Sequence, residues 1–284
     1  MVGGRPAEVG GGRISAIIKY PGSKWSIANW IISFFPEHHS YLEPFFGSGA
    51  VLFNKKRSNI ETINDLDGDV VNFFEWVKKD PERIAREIYL TPYSRQVYEN
   101  TKQDKPETSL ERAVRFCIEA NMSHGFKINE RSGWKMDVQG REKAHAASWW
   151  CNMPEKIINA AERLRGVQIE NKNGVDLIRA FNSPKVLVYC DPPYILSTRY
   201  KKMYQCEMED QEHEALLDAV LQHKGPVIIS GYDSPMYQSM LHGWHKESTK
   251  AYNQLAQERT EVIWMNFEHQ GHQIDISEVM TWKQ

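Results

Sequence analysis

The chain has 284 residues, of which 41% are hydrophobic and 11% aromatic, so it can form one good core and a second small one. Its formal net charge of -2 at pH 7 excludes a strong overall attraction for nucleic acid, so a polyanion would have to bind a local basic patch. The four cysteines show neither CxxC nor Cys/His ligand spacing, and no long apolar run is present. We therefore expect reduced thiols, no membrane partner and a cytoplasmic location.

Short apolar strands alternate with amphipathic helical stretches, which predicts an α/β fold with a mostly parallel sheet. Apart from a glycine-rich tail at residues 1–13, predicted to be disordered, the elements follow in chain order. The predicted strands are 41–43, 60–64, 167–170, 186–189, 227–230 and 261–267. The predicted helices are 24–35, 50–56, 67–78, 81–89, 110–119, 154–164, 210–223 and 235–241.

The alternation of strands and helices breaks once. Between about residues 92 and 148 no clean strand is visible, and the sequence is polar, aromatic and rich in loop-forming residues. We therefore predict a sheet domain made of residues 14–79 and 166–284, interrupted by an insertion at 80–165.

The segment LEPFFGSGAVLFN, residues 42–54, leads from a strand through a glycine turn into a helix. Gly47 and Gly49 would let the backbone approach a ligand, and free N–H groups at the helix start favour a carboxylate or phosphate. An ordinary strand-to-helix turn explains the segment equally well, because the third glycine of a dinucleotide fingerprint is missing. In INDLDGD, however, Asp65 ends the second strand about 20 residues later, where it could accept from a ribose, while Asp67 caps the next helix. Together these features predict an adenosine-type cofactor.

The segment KYPGSK places an aromatic residue and a cation on either side of a Pro-Gly turn. Tyr20 could lie on a base and Lys24 could approach a carboxylate. Taken alone, the segment is better explained as a turn with a helix cap at Ser23.

The segment CDPPY follows an apolar strand, and its two prolines end that strand because proline cannot donate to a sheet. The Asp191 carboxylate and the Pro192 carbonyl then form two acceptors at the carboxyl end of the sheet. Two acceptors suit an exocyclic NH2 group, and Tyr194 is available to stack on the ring that carries it.

In this order, KYPGSK, EPFFGSG, INDLDGD and CDPPY resemble the motifs of the S-adenosylmethionine-dependent DNA adenine-N6 methyltransferases of the Dam type, the α-group or D12 class. The resemblance covers most of residues 14–284 and includes VIISGYDS and RTEVIWMNF as the last strands. It implies a Rossmann-like, mostly parallel sheet of the methyltransferase type with helices on both faces. The insertion would be a mainly helical and loop-containing DNA-recognition domain.

The resemblance also implies a role for each matching residue. Tyr20 would lie against the adenine of S-adenosylmethionine, Lys24 would hold its methionine carboxylate, and Asp65 would accept from its ribose. The implied cofactor residues are Tyr20, Lys24, Glu43, Phe45, Gly47, Ser48, Gly49, Asp65 and Asp176. The residues implied for the target adenine are Asp191, Pro192, Pro193 and Tyr194. No metal is required for this chemistry.

The implied partner is double-stranded DNA, bound by a monomer that flips the target adenine out of the helix, with or without a cognate restriction endonuclease. Local charge predicts phosphate contacts in STRYKKMY and in the insertion, although a solvated charged face is the alternative for either segment. Residue type alone selects two asparagines and one arginine of the insertion as base readers. The candidate DNA residues are Asn121, Lys127, Asn129, Arg131, Lys135, Arg199, Lys201 and Lys202.

Two other functions stay open. A methyltransferase of the same fold could act on an RNA base or a protein amide, although such proteins more often carry Asn at the position of Asp191. A non-catalytic DNA-binding relative is the second, and the intact Lys24, Asp65 and Asp191 argue against it.

Overall fold

A computed structural model describes residues 14–124, 133–138, 145–195, 206–231, 233–252 and 258–268. Five strands of one sheet run parallel, and the remaining two form an antiparallel edge. The strands are β1 (Ser40–Glu43), β2 (Ile60–Asn64), β3 (Gln168–Glu170), β4 (Val186–Cys190), β5 (Val227–Gly231), β6 (His245–Tyr252) and β7 (Glu258–Met265). Their order is β3-β2-β1-β4-β5-β7-β6, with β7 antiparallel to both neighbours. The predicted mostly parallel α/β fold is confirmed.

The helices of the described ranges separate into two groups. The first group contains α1 (Ala28–Ser33), α2 (Ala50–Asn54), α3 (Gly68–Lys79), α4 (Pro81–Leu90), α5 (Arg95–Gln103), α6 (Ser109–Met122), α7 (His145–Cys151) and α8 (Met153–Leu164). The second contains α9 (Gly174–Ala180), α10 (Asp210–Leu221) and α11 (Pro235–Met240). In the described ranges, no helix has both the length and the apolar composition that a membrane crossing needs.

The two helix groups cover opposite faces of the sheet. Because successive strand residues point to opposite faces, Leu187 and Tyr189 of β4 enter one core, while Val186 and Val188 enter the other. Helices α1–α8 contribute to the first core and α9–α11 to the second. The predicted placement of helices on both faces is therefore confirmed.

Four elements were not predicted: α5, α7, α9 and the edge strand β6. The sequence of β6, HKESTKAY, has no apolar alternation, and the strand forms through main-chain pairing with β7 along its whole length. Edge strands bury little side-chain surface, so their hydrophobic pattern is weak. Helix α9 is short, and its signal is a cap: the Asn173 side chain accepts from the N–H groups of Val175 and Asp176.

The helices within residues 80–165 have clear sequence signals at their starts. Asp80 caps α4 just before Pro81, and Thr108 and Glu111 form a reciprocal capping box at the start of α6. Buried residues of α4–α8 belong to the same core as one face of the sheet. The described part of the insertion is thus packed on the sheet, and its role as a separate recognition domain stays a prediction.

A buried ion triad joins the insertion to the sheet. The Glu61 carboxylate on β2 accepts from Lys55 Nζ at 2.6 Å and from two Arg163 guanidinium nitrogens at 2.5 and 2.8 Å. The three side chains are only 2–7% exposed. Burial alone would raise the Glu61 pKa, but the hydrogen bonds from Arg163 and Lys55 outweigh it and lower the pKa to about 2. The triad therefore fixes α8 to β2.

We predict that Glu61→Gln lowers the free energy of unfolding by about 3–5 kcal/mol, because Lys55 and Arg163 would stay buried without a counter-ion. The pKa falls from 4.5 to about 2 on folding, so ionised Glu61 stabilises the protein above pH 4.5 and this stabilisation is lost toward pH 2. Urea unfolding of wild type and variant, at neutral and acidic pH, measures both effects.

The matched control for this experiment is Glu162→Gln. Glu162 is 70% exposed and faces Arg165 at 3.5 Å, so its replacement should change the free energy of unfolding by no more than about 0.5 kcal/mol. Equal effects of the two substitutions would contradict the assigned weight of the triad.

Candidate functional site

An open cleft lies at the carboxyl ends of β1, β2 and β4, where ligands bind in sheets of this kind. It has about 950 Å³ of empty space, including the part continuous with solvent. Its wall is formed by residues 20–24, 43–48, 50–51, 65–66, 173–175, 189, 191, 193, 206–208 and 212. Four separate sequence motifs therefore meet at one edge of the sheet.

The glycine turn forms one wall of the cleft. Gly47 and Gly49 have φ values of 49° and 69°, a left-handed conformation that residues with a Cβ rarely adopt. A Cβ on Gly47 would lie 3.1 Å from the Tyr20 ring, so this turn and the KYPGSK turn are in close contact. Gly49 immediately precedes α2, and a Cβ at this position would collide with the Phe46 ring. Gly49 therefore serves the turn and does not line the cleft.

Asp65 stands at the end of β2 and binds the glycine turn. Its Oδ2 accepts from Gly47 N–H at 2.8 Å, and its Oδ1 accepts from Asp67 N–H at 2.9 Å. Burial raises the Asp65 pKa to about 6, although these two hydrogen bonds oppose the shift. Asp67 caps α3 by accepting from Asp69 N–H at 2.9 Å, which confirms the predicted division of labour for Asp67.

Glu43 ends β1 at the base of the cleft and is 2% exposed. It accepts a hydrogen bond from the Tyr41 hydroxyl at 2.8 Å. Burial raises the Glu43 pKa to about 8; the hydrogen bond from Tyr41 opposes this shift, and the nearby charge of Asp191 adds to it. Without a cationic ligand the carboxyl group is therefore mainly protonated at pH 7, and a cation bound beside it would favour ionisation.

Asp191 follows β4 and is bound from two sides. Its Oδ1 accepts from Ser230 Oγ at 2.8 Å and lies 3.0 Å from Lys24 Nζ. Lys24 is 4% exposed and also donates to the Gly22 carbonyl at 2.8 Å. Burial raises the Asp191 pKa, and both Lys24 and Ser230 oppose that shift. The KYPGSK turn and the CDPPY turn thus meet in a buried ion pair.

Tyr194 contacts Lys24 and brings a further carboxylate, Glu261, next to it. Its hydroxyl donates to Glu261 Oε2 at 2.6 Å, and Lys24 Nζ lies 4.7 Å from the centre of its ring. Glu261 on β7 is 12% exposed and lies 3.7 Å from Lys24 Nζ. Neither Glu261 nor Ser230 was predicted as a site residue. The sequence signal for Glu261 was its position directly before the apolar run VIWM. A carboxylate in a core strand needs a partner, so it could have been predicted to pair with a site lysine.

The predicted cofactor residues Tyr20, Lys24, Glu43, Phe45, Gly47, Ser48 and Asp65 come together in the cleft. Asp176 does not join them. Its side chain on α9 is 73% exposed and lies 3.6 Å from Arg179, while Asn173 and Val175 beside it line the cleft. Of the four CDPPY residues predicted for the target base, Asp191 and Pro193 line the cleft. Pro192 and Tyr194 are buried next to it.

Two of the predicted DNA residues can be placed. Asn121 is 2% exposed; its amide donates to the carbonyls of Ile17 and Cys117 and accepts from Trp149 Nε1, so it links core elements and does not face DNA. Lys135 is half-buried on the segment 133–138. The other candidates, Lys127, Asn129, Arg131, Arg199, Lys201 and Lys202, lie outside the described residues.

Lys135 lies close enough to Lys19 to affect its charge, and Lys19 belongs to a group of cations at the Trp149 ring. Nζ of Lys156 lies 3.0 Å from the centre of the Trp149 ring, and Nζ of Lys19 lies 4.9 Å from it. Burial and the charges of Lys135 and Lys156 lower the Lys19 pKa to about 8, although Asp137 opposes the shift. Burial also lowers the Lys156 pKa to about 8. Because an anion bound beside Lys19 would relieve its repulsion by Lys135 and Lys156, the Lys19–Lys135–Lys156 cluster is suited to bind one.

The cysteines Cys117, Cys151, Cys190 and Cys206 are free thiols. Among the described residues, no three His, Cys, Asp or Glu side chains come together as a metal site would require. The cleft therefore presents a lysine, carboxyl groups, hydroxyls and backbone groups as its chemistry.

Comparisons with known proteins point to one family. A family model described as D12 class N6 adenine-specific DNA methyltransferase matches residues 20–266. The DNA adenine methylase of Vibrio cholerae is 24% identical over 191 residues, covering 63% of this chain and 65% of that protein, slightly less than two thirds of its length. That of Escherichia coli K12 is 24% identical over 234 residues, covering 77% and 81%. The DNA N-6-adenine-methyltransferase of Escherichia phage P1 is 31% identical over 69 residues, covering 24% and 9%.

We predict that Glu43→Gln makes the stability of the protein less dependent on pH. The Glu43 pKa rises from 4.5 to about 8 on folding, so its stabilising contribution is present below pH 4.5 and is lost as the pH rises through 8. Between these values the free energy of unfolding should fall about 1.4 kcal/mol per pH unit more steeply for wild type than for the variant. Urea unfolding at several pH values measures both slopes. Equal slopes would contradict the conclusion that Glu43 is protonated in the folded protein.

Proposed function

Because this chain belongs to the D12 class of N6 adenine-specific DNA methyltransferases, we propose that it transfers a methyl group from S-adenosylmethionine to N6 of adenine in DNA. One observation carries the proposal: Asp191, at the end of β4, faces the same cleft as seven of the nine residues expected to bind the cofactor. The donor and the target amine would therefore meet at one edge of the sheet.

The cleft has groups that suit each part of S-adenosylmethionine. Each carboxylate oxygen of Asp65 accepts one N–H group, from Gly47 or from Asp67. Each oxygen keeps a further lone pair that can accept from the ribose hydroxyls. Glu43, protonated when no cation is near, can give up that proton to pair with the ammonium group of the methionine part. The close contact of Gly47 with the Tyr20 ring forms a wall on which a flat base can lie.

The chemistry that we propose places its main demand on Asp191. S-adenosylmethionine supplies a methyl group that its sulfonium already makes electrophilic. The N6 amine is a poor nucleophile because its lone pair is delocalised into the ring, and acceptance of its two N–H groups by the Asp191 carboxylate and the Pro192 carbonyl favours a more nucleophilic nitrogen. Ser230 and Lys24 hold that carboxylate in place before the base arrives, so little reorganisation is needed.

An adenine stacked in duplex DNA cannot present its amine in this way, so it must be flipped out at a cost of a few kcal/mol. We propose that Tyr194 receives the flipped base by stacking. Its side chain is 6% exposed and its hydroxyl is bound to Glu261, so neighbouring groups must move for a ring to reach it. The Lys19–Lys135–Lys156 cluster is our candidate for the phosphate contacts that hold the duplex during flipping.

The experiment that tests the proposed function is sequencing of unmodified plasmid DNA, after incubation with the protein and S-adenosylmethionine, for methyl groups at N6 of adenine. Methylated adenines support the function and also define the sequence that is read. Methylation of RNA or of a protein amide, with unmodified DNA, would replace the proposed substrate. Cofactor binding with no transfer to any acceptor would support a non-catalytic DNA-binding protein.

We predict that Asp191→Ala lowers methyl transfer by at least about 100-fold, because the developing charge on N6 loses its carboxylate. Binding of S-adenosylmethionine, followed by calorimetry, should be retained, since Asp65 and Glu43 are intact. The matched control is Asp218→Ala on α10, an exposed carboxylate that does not line the cleft. A loss of cofactor affinity as large as the loss of rate would overturn the role assigned to Asp191.

We predict that Lys156→Gln weakens DNA binding and lowers the slope of log affinity against log salt by about 1, because one phosphate contact is lost. Titration of a fluorescent duplex at several salt concentrations measures the slope. The matched control is Lys224→Gln, an exposed lysine before the amino end of β5, on the edge of the sheet opposite the cleft. Equal slopes for wild type and Lys156→Gln would show that Lys156 does not contact the DNA phosphates.

A further inference from the structure

Glu261 is a partly buried carboxylate that the proposed chemistry does not yet use. It lies near the middle of β7, paired in register with Thr249 of β6, and it is 12% exposed. Its Oε2 accepts from the Tyr194 hydroxyl at 2.6 Å and is 3.7 Å from Lys24 Nζ. Glu261 therefore contacts Lys24, which is paired with Asp191, and also Tyr194 of the CDPPY turn, and it does not line the cleft itself.

The cluster of Lys24, Asp191 and Glu261 contains one cation and two carboxylates. Lys24 is shared between two carboxylates, Asp191 at 3.0 Å and Glu261 at 3.7 Å, so the ionised cluster carries one net negative charge. A cluster made only of Lys24 and Asp191 would be neutral. The difference matters because the bond from N6 to the methyl carbon forms as the bond from sulfur breaks, and positive charge passes from sulfur to N6. That charge leaves when the nitrogen loses a proton to Asp191 and then to water.

Lys24 would oppose this transfer if Asp191 were its only partner. The Lys24 ammonium group, 3.0 Å from Asp191, competes with the target amine for the carboxylate. It also repels the positive charge that develops on the amine nitrogen. A second carboxylate on the far side of Lys24 reduces both effects. The low exposure of the three side chains makes these interactions stronger than they would be in water.

We propose that Glu261 is a positioning residue for methyl transfer: it neutralises Lys24, so that the Asp191 carboxylate is available to the target amine, and it holds the Tyr194 ring through the hydroxyl. This inference rests on the proposed function. Glu261 acts through Lys24 and Tyr194 and does not contact the base. Glu261→Gln separates the two roles, because it removes the charge and keeps an acceptor for the Tyr194 hydroxyl.

The test compares four purified proteins: wild type, Glu261→Gln, Glu261→Asp and Tyr194→Phe. Methyl transfer to plasmid DNA gives kcat, the KM for S-adenosylmethionine and the dependence of kcat on pH. We expect Glu261→Gln to lower kcat about 10- to 100-fold and to change the KM for S-adenosylmethionine much less, because the lost charge acts mainly on the transfer step. Glu261→Asp should recover part of that loss, since it keeps the charge.

The pH profile separates this role from a merely structural one. Glu261 raises the Asp191 pKa, so the acidic limb of kcat should move to lower pH in Glu261→Gln and stay in place in Glu261→Asp and Tyr194→Phe. The matched control is Glu247→Gln on the neighbouring strand β6, 40% exposed and bound to His245, which should leave kcat and its pH profile unchanged.

The outcomes separate the inference from the proposed function. If wild type methylates no adenine in DNA, the proposed function fails. If wild type is active and Glu261→Gln keeps both its kcat and its acidic limb, the inference on Glu261 is wrong and the function stands. If Glu261→Gln does not fold, Glu261→Asp decides: a wild-type acidic limb with a reduced kcat supports the inference, and a shifted limb overturns it.

Discussion

The contact between Lys24 and Asp191 is the constraint on which the cleft depends. A lysine that is 4% exposed must be paired. Its partners are the Gly22 carbonyl of its own turn and two carboxylates from distant parts of the chain, at the end of β4 and in the middle of β7. The ion pair therefore fixes the KYPGSK turn against the CDPPY turn. The same turn carries Tyr20 onto Gly47, so the position of the glycine wall also follows from where Lys24 is held.

The sheet explains why these turns can meet at all. Parallel strands end at one edge, and the cleft lies where β1, β2 and β4 leave it, with Glu43, Asp65 and Asp191 at the three strand ends. Burial raises the pKa of all three carboxyl groups. Three acids that line one cleft favour cationic ligands, and both the donor and the methylated amine of the proposed reaction carry positive charge. The acids are thus matched to the reaction as well as to its ligands.

The sequence predicted this edge of the molecule better than the rest because parallel core strands are apolar runs that end in irregular polar turns. Its four motifs identified most of the cleft residues. Glu261 was missed because its partners are distant in the chain and its strand looked like core. Asn121 was selected for DNA by residue type, although three hydrogen bonds tie it into the interior. Strand β6 escaped because its polar edge sequence forms a strand only through pairing with β7.

The first sheet face joins the cleft to the part of the molecule that would hold DNA. Helices α1–α8 share one core there, and the triad of Lys55, Glu61 and Arg163 fixes α8 to β2. Lys19 of the cationic cluster is followed directly by Tyr20 of the cleft wall. The cluster that we propose for phosphate contacts and the wall against which we propose the cofactor lies are therefore built partly from adjacent residues of one segment.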